Sequence, residues 1–438
     1  MFANAMRGLL MVVFALPAWA GVPVQHWQTE QGARVLFVEA RGLPMVDVRI
    51  SFDAGSARDG VVHGLASLTA SLLDQGVYLD ERELDAQGVA EAFESIGARF
   101  GASAGQDAAT LSLRSLSDAA RLEAALKVFT AVMAHPRLAD EDFSRERERV
   151  LLGLKASAQQ PGEVGKRAFY RALYGDHPYA FPPEGEVDSL SALTVDAVRD
   201  FHRRHYTSAE MVIVLVGDLD RAAAERLAGR LSAAMPKGES LPALPPVPEI
   251  EVAKTVRIPF PSTQATILAG QIGMARIDPD YFPLYVGNHI LGGSGFSSRL
   301  MEEIREKRGL AYSVYSYLMP MSQPGPFLMG MQTRLDQAGQ AERLLRDNLA
   351  RFVKDGPSAA ELEHARKNIV GGFPLRLDSN KDIADWLNVM GIHRLPPDFL
   401  DRYPEQVKAT GVQSIRSAWQ RRIHPDRLVM VIVGGAGE

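Results

Sequence analysis

The sequence predicts an α+β fold of two homologous domains, each a mainly antiparallel sheet packed with helices, joined by a proline-rich linker. Three observations predict it. Short alternating apolar runs mix with longer helical runs in both halves of the chain. Residues 236–250, PKGESLPALPPVPEI, hold five prolines and no periodicity, which marks a linker between 21–235 and 251–438. The halves also echo each other. Residues 193–218 (LTVDAVRDFHRRHYTSAEMVIVLVGD) and 410–435 (TGVQSIRSAWQRRIHPDRLVMVIVGG) each run from an amphipathic helix through an Arg-Arg pair to an apolar strand ending in Val-Gly. The Arg pairs, at 203–204 and 421–422, stand 218 positions apart, far too long a period for a solenoid and the mark of a duplication.

In chain order, residues 1–20 read as a secretory signal peptide. Arg7 is their only charge, the run 9–16 is too short to span a bilayer, and Ala18-Trp19-Ala20 is a small-x-small cleavage site. Cleavage after Ala20 leaves 47 basic residues against 53 acidic ones, no membrane span and no lipidation cysteine, so a soluble exported protein, most simply periplasmic, is expected. Residues 36–38 and 46–52 alternate as strands do, 62–73 read as a helix, and 107–113 as a strand. Residues 119–134 are helical, and 140–158 form a long charged helix. The second half repeats the scheme: strand at 265–272, helices at 281–291 and 297–308, strands at 311–319 and 325–333.

The composition narrows the function. With 46% apolar and 23% charged residues the chain is neither disordered nor a multi-span membrane protein. No cysteine means no disulfide, no thiol nucleophile and no cysteine zinc site. A net charge of −5 removes the usual electrostatic basis for nucleic-acid binding.

Residues 297–317, SSRLMEEIREKRGLAYSVYSY, carry the main functional signal. Ser297 or Ser298 is placed to cap a helix, Leu300, Met301 and Ile304 form its apolar stripe, and Gly309 suits the left-handed residue that ends it. Arg305 then falls in the last turn and Tyr312 at the start of a strand, so the reversal brings both to one end of the element. Taken alone, the segment is read more simply as structural, with Arg305 paired to Glu302 one turn back and Tyr312 packed on a sheet.

The segment resembles the second domain of the zinc peptidases of the insulinase and mitochondrial-processing-peptidase family. The resemblance runs along the mature chain: GVVHGLASLTASLLDQGVY at 60–78 resembles that family's first-domain helix, and His177-Pro178-Tyr179 followed by SLSALTVDAV its mid-domain pattern. YTSAEMVIVLVGDLD at 206–220 resembles its domain-closing strand, and 99–113 the strand that offers a sheet edge to substrate. The resemblance implies that Arg305 and Tyr312, seven positions apart, reach substrate at a zinc site. Both are donors suited to the negative charge that builds on a peptide carbonyl oxygen during hydrolysis.

The family's zinc motif, His-x-x-Glu-His on the first-domain helix, is replaced. Aligning Gly64-Leu65-Ala66 places Ser67 and Ser71 at the two histidines and Ala70 at the glutamate, and ERERVLLGLK at 146–155 places Gly153 at the third ligand. No such motif, direct or inverted, occurs among the ten histidines. His63 reads as a lone structural histidine, and His202 and His205, beside Arg203 and Arg204, as a solvated helix end. The serines have no visible base to make them nucleophiles. Gly292-Gly293-Ser294-Gly295 reads as a tight turn between helices rather than a phosphate cradle, since no Gly-Lys-Ser/Thr ending follows.

The expected function is therefore a zinc-less subunit of a peptidase. It holds no metal itself and pairs with a zinc-bearing homologue that carries His-x-x-Glu-His. The pair would enclose a chamber for peptide substrates, to which this chain supplies Arg305 and Tyr312. Two alternatives stand beside it: a zinc peptidase with unrecognised ligands, and a non-enzymatic binding or assembly subunit.

Overall fold

The computed structural model describes residues 22–435; the predicted signal peptide, 1–20, lies outside the described residues. The strands are β1 (Gln25–Gln28), β2 (Arg34–Glu39), β3 (Met45–Phe52), β4 (Gly76–Leu79), β5 (Arg82–Asp85), β6 (Arg99–Ala104) and β7 (Ala109–Leu116). They continue with β8 (Val212–Gly217), β9 (Lys254–Ile258), β10 (Gln264–Ile272), β11 (Val314–Leu318), β12 (Pro326–Arg334) and β13 (Val429–Val433). One sheet runs β1-β2-β8-β3-β7-β6 and another β11-β12-β10-β13-β9; β4 and β5 form a separate hairpin. Taken from its other end, the second sheet matches the first strand for strand once β1 is set aside. Each contains one parallel pair, β2 with β8 and β9 with β13, and is otherwise antiparallel. The fold is α+β, and the echo between residues 193–218 and 410–435 corresponds to the same step in both halves. In each, the closing strand enters between the first two. Both closing strands are buried along their whole length, as their unbroken apolar sequences require.

The halves exchange helices. Helix Pro161–Tyr174 of the first half lies on the second sheet, where Phe169 and Leu173 pack with Leu268, Leu328 and Val431. Helix Asn380–Ile392 of the second half lies on the first sheet, where Leu387 and Met390 pack with Leu36, Val212 and Val214. Two polar contacts fix the second crossing. Arg49 donates to the Asp385 carboxylate at 2.7 and 3.0 Å, and Ser51 donates to Asn388 at 2.8 Å. Close approach depends on a glycine in each helix. A Cβ at Gly391 would collide with Val212, and one at Gly165 would touch Val433 at 3.2 Å.

Residues 236–250 have no helix or strand, yet they are tied down. Arg58 donates to the Pro242 carbonyl at 2.7 Å, and the ring of buried His177 bonds the Pro245 carbonyl at 3.0 Å. Leu244, Val247 and Ile250 pack against the cluster around helix Pro161–Tyr174. The segment is a strap as well as a connection.

Several expected boundaries move for local reasons. The helix expected at 62–73 is Leu65–Leu72, because Gly64 takes φ +99° and the buried Asp59 carboxylate accepts from the Gly64 and Ala66 N–H groups at 2.7 and 2.8 Å. The strand expected at 107–113 begins at Ala109, after a tight reversal in which Gly105 N–H reaches the Ala108 carbonyl at 2.9 Å. The helix expected at 281–291 is Tyr281–Asn288 followed by a π-helical turn, His289–Gly293. No helix among the described residues is long and apolar enough to cross a membrane.

Candidate functional site

The segment that carries Arg305 is more irregular than its sequence suggests. A 3₁₀ turn, Gly295–Ser297, replaces the expected start of the helix. Gly295 takes φ +64°. The Ser298 hydroxyl bonds back to the Gly295 carbonyl at 2.7 Å and accepts from the Met301 N–H at 3.4 Å. The helix then widens into a π-helical stretch, Met301–Glu306, with Met301 and Ile304 buried. Gly309 ends it at φ +64°, its N–H reaching the Arg305 carbonyl at 2.8 Å while Leu310 N–H reaches Ile304 at 3.1 Å.

That geometry brings Arg305 and Tyr312 together. The Arg305 guanidinium carbon lies 5.1 Å from the centre of the Tyr312 ring and 4.8 Å from that of Phe296. Tyr312 precedes β11 by two residues and is 86% exposed rather than packed on the sheet. The pairing of Arg305 with Glu302 is not formed. Glu302 meets Lys307 at 2.8 Å, and Glu303 takes Lys307 at 2.7 Å and Arg308 at 2.9 Å. Among the described residues Arg305 has ring contacts and no ion pair, so its N–H donors stay available. Phe296, 71% exposed, was not singled out in the sequence. An aromatic residue inside the polar turn Gly-Ser-Gly-Phe-Ser-Ser is the signal that could have found it.

Tyr312 stands at the lip of a cleft of about 900 Å³ between the halves. Tyr315 and Tyr317 are stacked on its floor with ring centres 4.9 Å apart, and Tyr315 lies over Gly330, where a Cβ would leave it no room. The wall is helix Pro161–Tyr174, through Glu163, Lys166 and Tyr170. A second hollow of about 580 Å³ shares Glu163, Lys166, Tyr170 and Met319 with the first and reaches Gly153. The two adjoining hollows therefore link the Tyr312 region to Gly153. The exchange of helices, invisible in the sequence, creates this cleft.

The replaced motif positions offer a metal nothing. Ala70 is buried in the core, and half-buried Ser71 donates to the Leu68 carbonyl at 3.0 Å. Ser67 is half-buried, and Gly153 is exposed with open space where a side chain would project. None supplies an imidazole or a carboxylate, so the donor set does not fit a zinc ion. Among the described residues no group of three or more His, Asp or Glu side chains is placed to hold a metal.

The three histidines singled out in the sequence are held by packing. His63 stacks on Phe181 with ring centres 3.3 Å apart, and burial lowers its pKa. His202 corrects the expectation of a solvated helix end: its Nε2 bonds the Met133 carbonyl at 2.9 Å, its ring stacks on Tyr206, and burial lowers its pKa. His205 is likewise half-buried and stacks on Phe201, while Arg203 and Arg204 stay in water. The Gly292–Gly295 stretch is a packed reversal, since a Cβ at Gly292 would meet the Ser316 N–H nitrogen at 2.5 Å.

Comparison with known proteins agrees with this architecture. Residues 34–184 match the family profile described as insulinase (peptidase family M16), and residues 192–369 the one described as the peptidase M16 inactive domain. A solved structure, a peptidase M16 inactive domain from Pseudomonas fluorescens, is 39% identical, covers 95% of this chain and 99% of its own, and superposes with a TM-score of 0.90. A protease from Helicobacter pylori shares the fold at 20% identity, with a TM-score of 0.83 over 94% of this chain and 99% of its own. An uncharacterized zinc protease of Streptomyces coelicolor is 29% identical over 337 residues, 75% of this chain and 70% of its own.

Proposed function

Because the chain belongs to the M16 (insulinase) peptidase family, we propose that it is the zinc-less subunit of an M16-type peptidase. Its partner is a zinc-bearing homologue that carries His-x-x-Glu-His, and the two enclose a chamber for peptide substrates. In this reading residues 21–235 and 251–438 are its two domains, and the export pattern of residues 1–20 supports a periplasmic location. One observation carries the reading. Among the described residues Arg305 is flanked by Phe296 and Tyr312 with no carboxylate to neutralise it, and no group of three or more His, Asp or Glu is placed to hold a metal.

The chemistry of this chain's own groups follows. A peptide carbonyl oxygen gains negative charge as its carbon becomes tetrahedral, and Arg305 and the Tyr312 hydroxyl are donors to that charge. Glu163 and Lys166 in the cleft wall offer one acceptor and one cation to a peptide backbone or side chain. Strand β6, paired on one side only, adds a sheet edge along which an extended peptide can align.

The test is capture of the tagged mature protein from its native extract, assayed for partner identity, zinc and chelator-sensitive peptide cleavage. A co-eluting zinc-bearing homologue with cleavage activity, lost in the Arg305→Ala complex while assembly persists, is the expected result. Cleavage at the wild-type rate by the Arg305→Ala complex would remove the role given to this chain.

A further inference from the structure

We propose that Phe296 is a positioning residue for Arg305, holding the guanidinium where its N–H groups face a substrate carbonyl oxygen. The proposal rests on the reading that Arg305 serves peptide hydrolysis. Three features point to it. The first is the way Arg305 is restrained. Its guanidinium carbon lies 4.8 Å from the Phe296 ring centre and 5.1 Å from the Tyr312 ring centre. Lys307 and Arg308 in the same segment are restrained by Glu302 and Glu303. A carboxylate restrains an arginine by consuming its hydrogen-bond donors; a ring restrains it through its π face and leaves those donors free.

The second feature is the exposure of Phe296. At 71% exposed it gains little from burial, so core packing does not account for a phenylalanine here. The third is that the turn beneath it is built to hold it still. Gly295 at φ +64° sets its direction, Ser298 bonds the Gly295 carbonyl through both hydroxyl and N–H, at 2.7 and 3.1 Å, and the Ser297 hydroxyl reaches Ser294 at 3.2 Å. The turn leads directly into the helix that carries Arg305, so ring and guanidinium share one rigid frame. Tyr312 approaches from the far side of the Gly309 reversal. The two rings thus tie together the two ends of one element.

The test uses the complex captured with its zinc-bearing partner and a fluorogenic peptide. Phe296→Leu is expected to lower kcat roughly tenfold with KM and thermal midpoint nearly unchanged, as small misplacements of a transition-state donor do. Phe296→Tyr, which keeps the ring, restores the rate. In Arg305→Ala, the further change Phe296→Leu is expected to cost nothing, since Phe296 acts through Arg305. A readout without turnover is the side-chain NMR resonance of Arg305, shifted by the ring in the wild type and Phe296→Tyr and released in Phe296→Leu. A full-rate Phe296→Leu alongside a damaged Arg305→Ala overturns the positioning role and leaves the function reading standing. An undamaged Arg305→Ala overturns both. Losses that add in the double variant, or a Phe296→Tyr that fails to recover, overturn the positioning role as well.

Discussion

Arg305 and Tyr312 differ in what each loses on substitution. Arg305→Ala removes the cation and both ring contacts, and a fall of about 2.7–4 kcal/mol in transition-state stabilisation is expected, read as kcat of the paired enzyme. Tyr312→Phe keeps the ring that flanks Arg305 and removes only the hydroxyl, so a smaller loss of about 1.5–3 kcal/mol is expected in the same assay. Asp59 makes a different prediction. Burial pushes its carboxyl up to about 7 from 3.8, against the backbone N–H groups of Ala66, Gly64 and Leu65 that favour the anion. The folded state therefore holds a proton that the unfolded state releases near pH 4. The contribution of Asp59 to stability is complete below that pH and is lost as pH rises through about 7. Relative to Asp59→Asn, the wild type is expected to lose up to about 4 kcal/mol of unfolding free energy between pH 4 and 7, measurable in denaturant titrations. The seven-residue spacing of Arg305 and Tyr312, with Gly309 between them, could be read from the sequence because helix end and reversal are local. The aromatic at 296 stands out in its polar turn, but its contact with Arg305 could not be read, because it depends on the 3₁₀ turn at Gly295–Ser297 and the π-helical stretch after it, which no periodicity announces.

At the scale of elements, strands were more legible than helix ends. Residues 46–52 and 265–272 fall within β3 and β10 because a buried strand writes its pattern into every residue. Helix ends were set by single contacts at a distance, as Asp59 sets the start of Leu65–Leu72. The roles of helices Pro161–Tyr174 and Asn380–Ile392 were not legible at all, since an apolar stripe does not say which sheet it will cover. Their glycines make the exchange testable. An alanine at Gly391 would strike the Val212 side chain and crowd Leu36 at 3.0 Å, so Gly391→Ala is expected to cost about 1–3 kcal/mol in unfolding free energy. Gly165→Ala meets Val433 and Leu268 at 3.2 and 3.4 Å, contacts that side chains can relieve. The gain in helix propensity, about 1 kcal/mol, offsets that crowding, and Gly165→Ala is expected to be close to neutral.

For the whole molecule, the exchange of helices makes each half part of the other's core. The apolar faces of Leu268, Leu328 and Val431 lose their cover if residues 251–438 are made alone, and those of Leu36, Val212 and Val214 if residues 22–235 are. Either half by itself is expected to bind a hydrophobic dye and lack a cooperative thermal transition, whereas the two expressed together should recover both native behaviours. The duplication was legible because both halves repeat the same helix, Arg-Arg pair and Val-Gly strand. The cleft between them was not, since it is lined by residues from 106 to 332 that only the exchange brings together.

The placement of β13 also bears on how the chain reaches this state. Val429–Val433 occupies the middle of its sheet, between β9 and β10, and forms part of the surface that receives helix Pro161–Tyr174. During synthesis that helix emerges more than two hundred residues before the strand that completes its seat. The first half must therefore wait, partly uncovered, until β13 arrives. Closing so long a loop slows folding, and the uncovered apolar surface stays open to aggregation until β13 is in place.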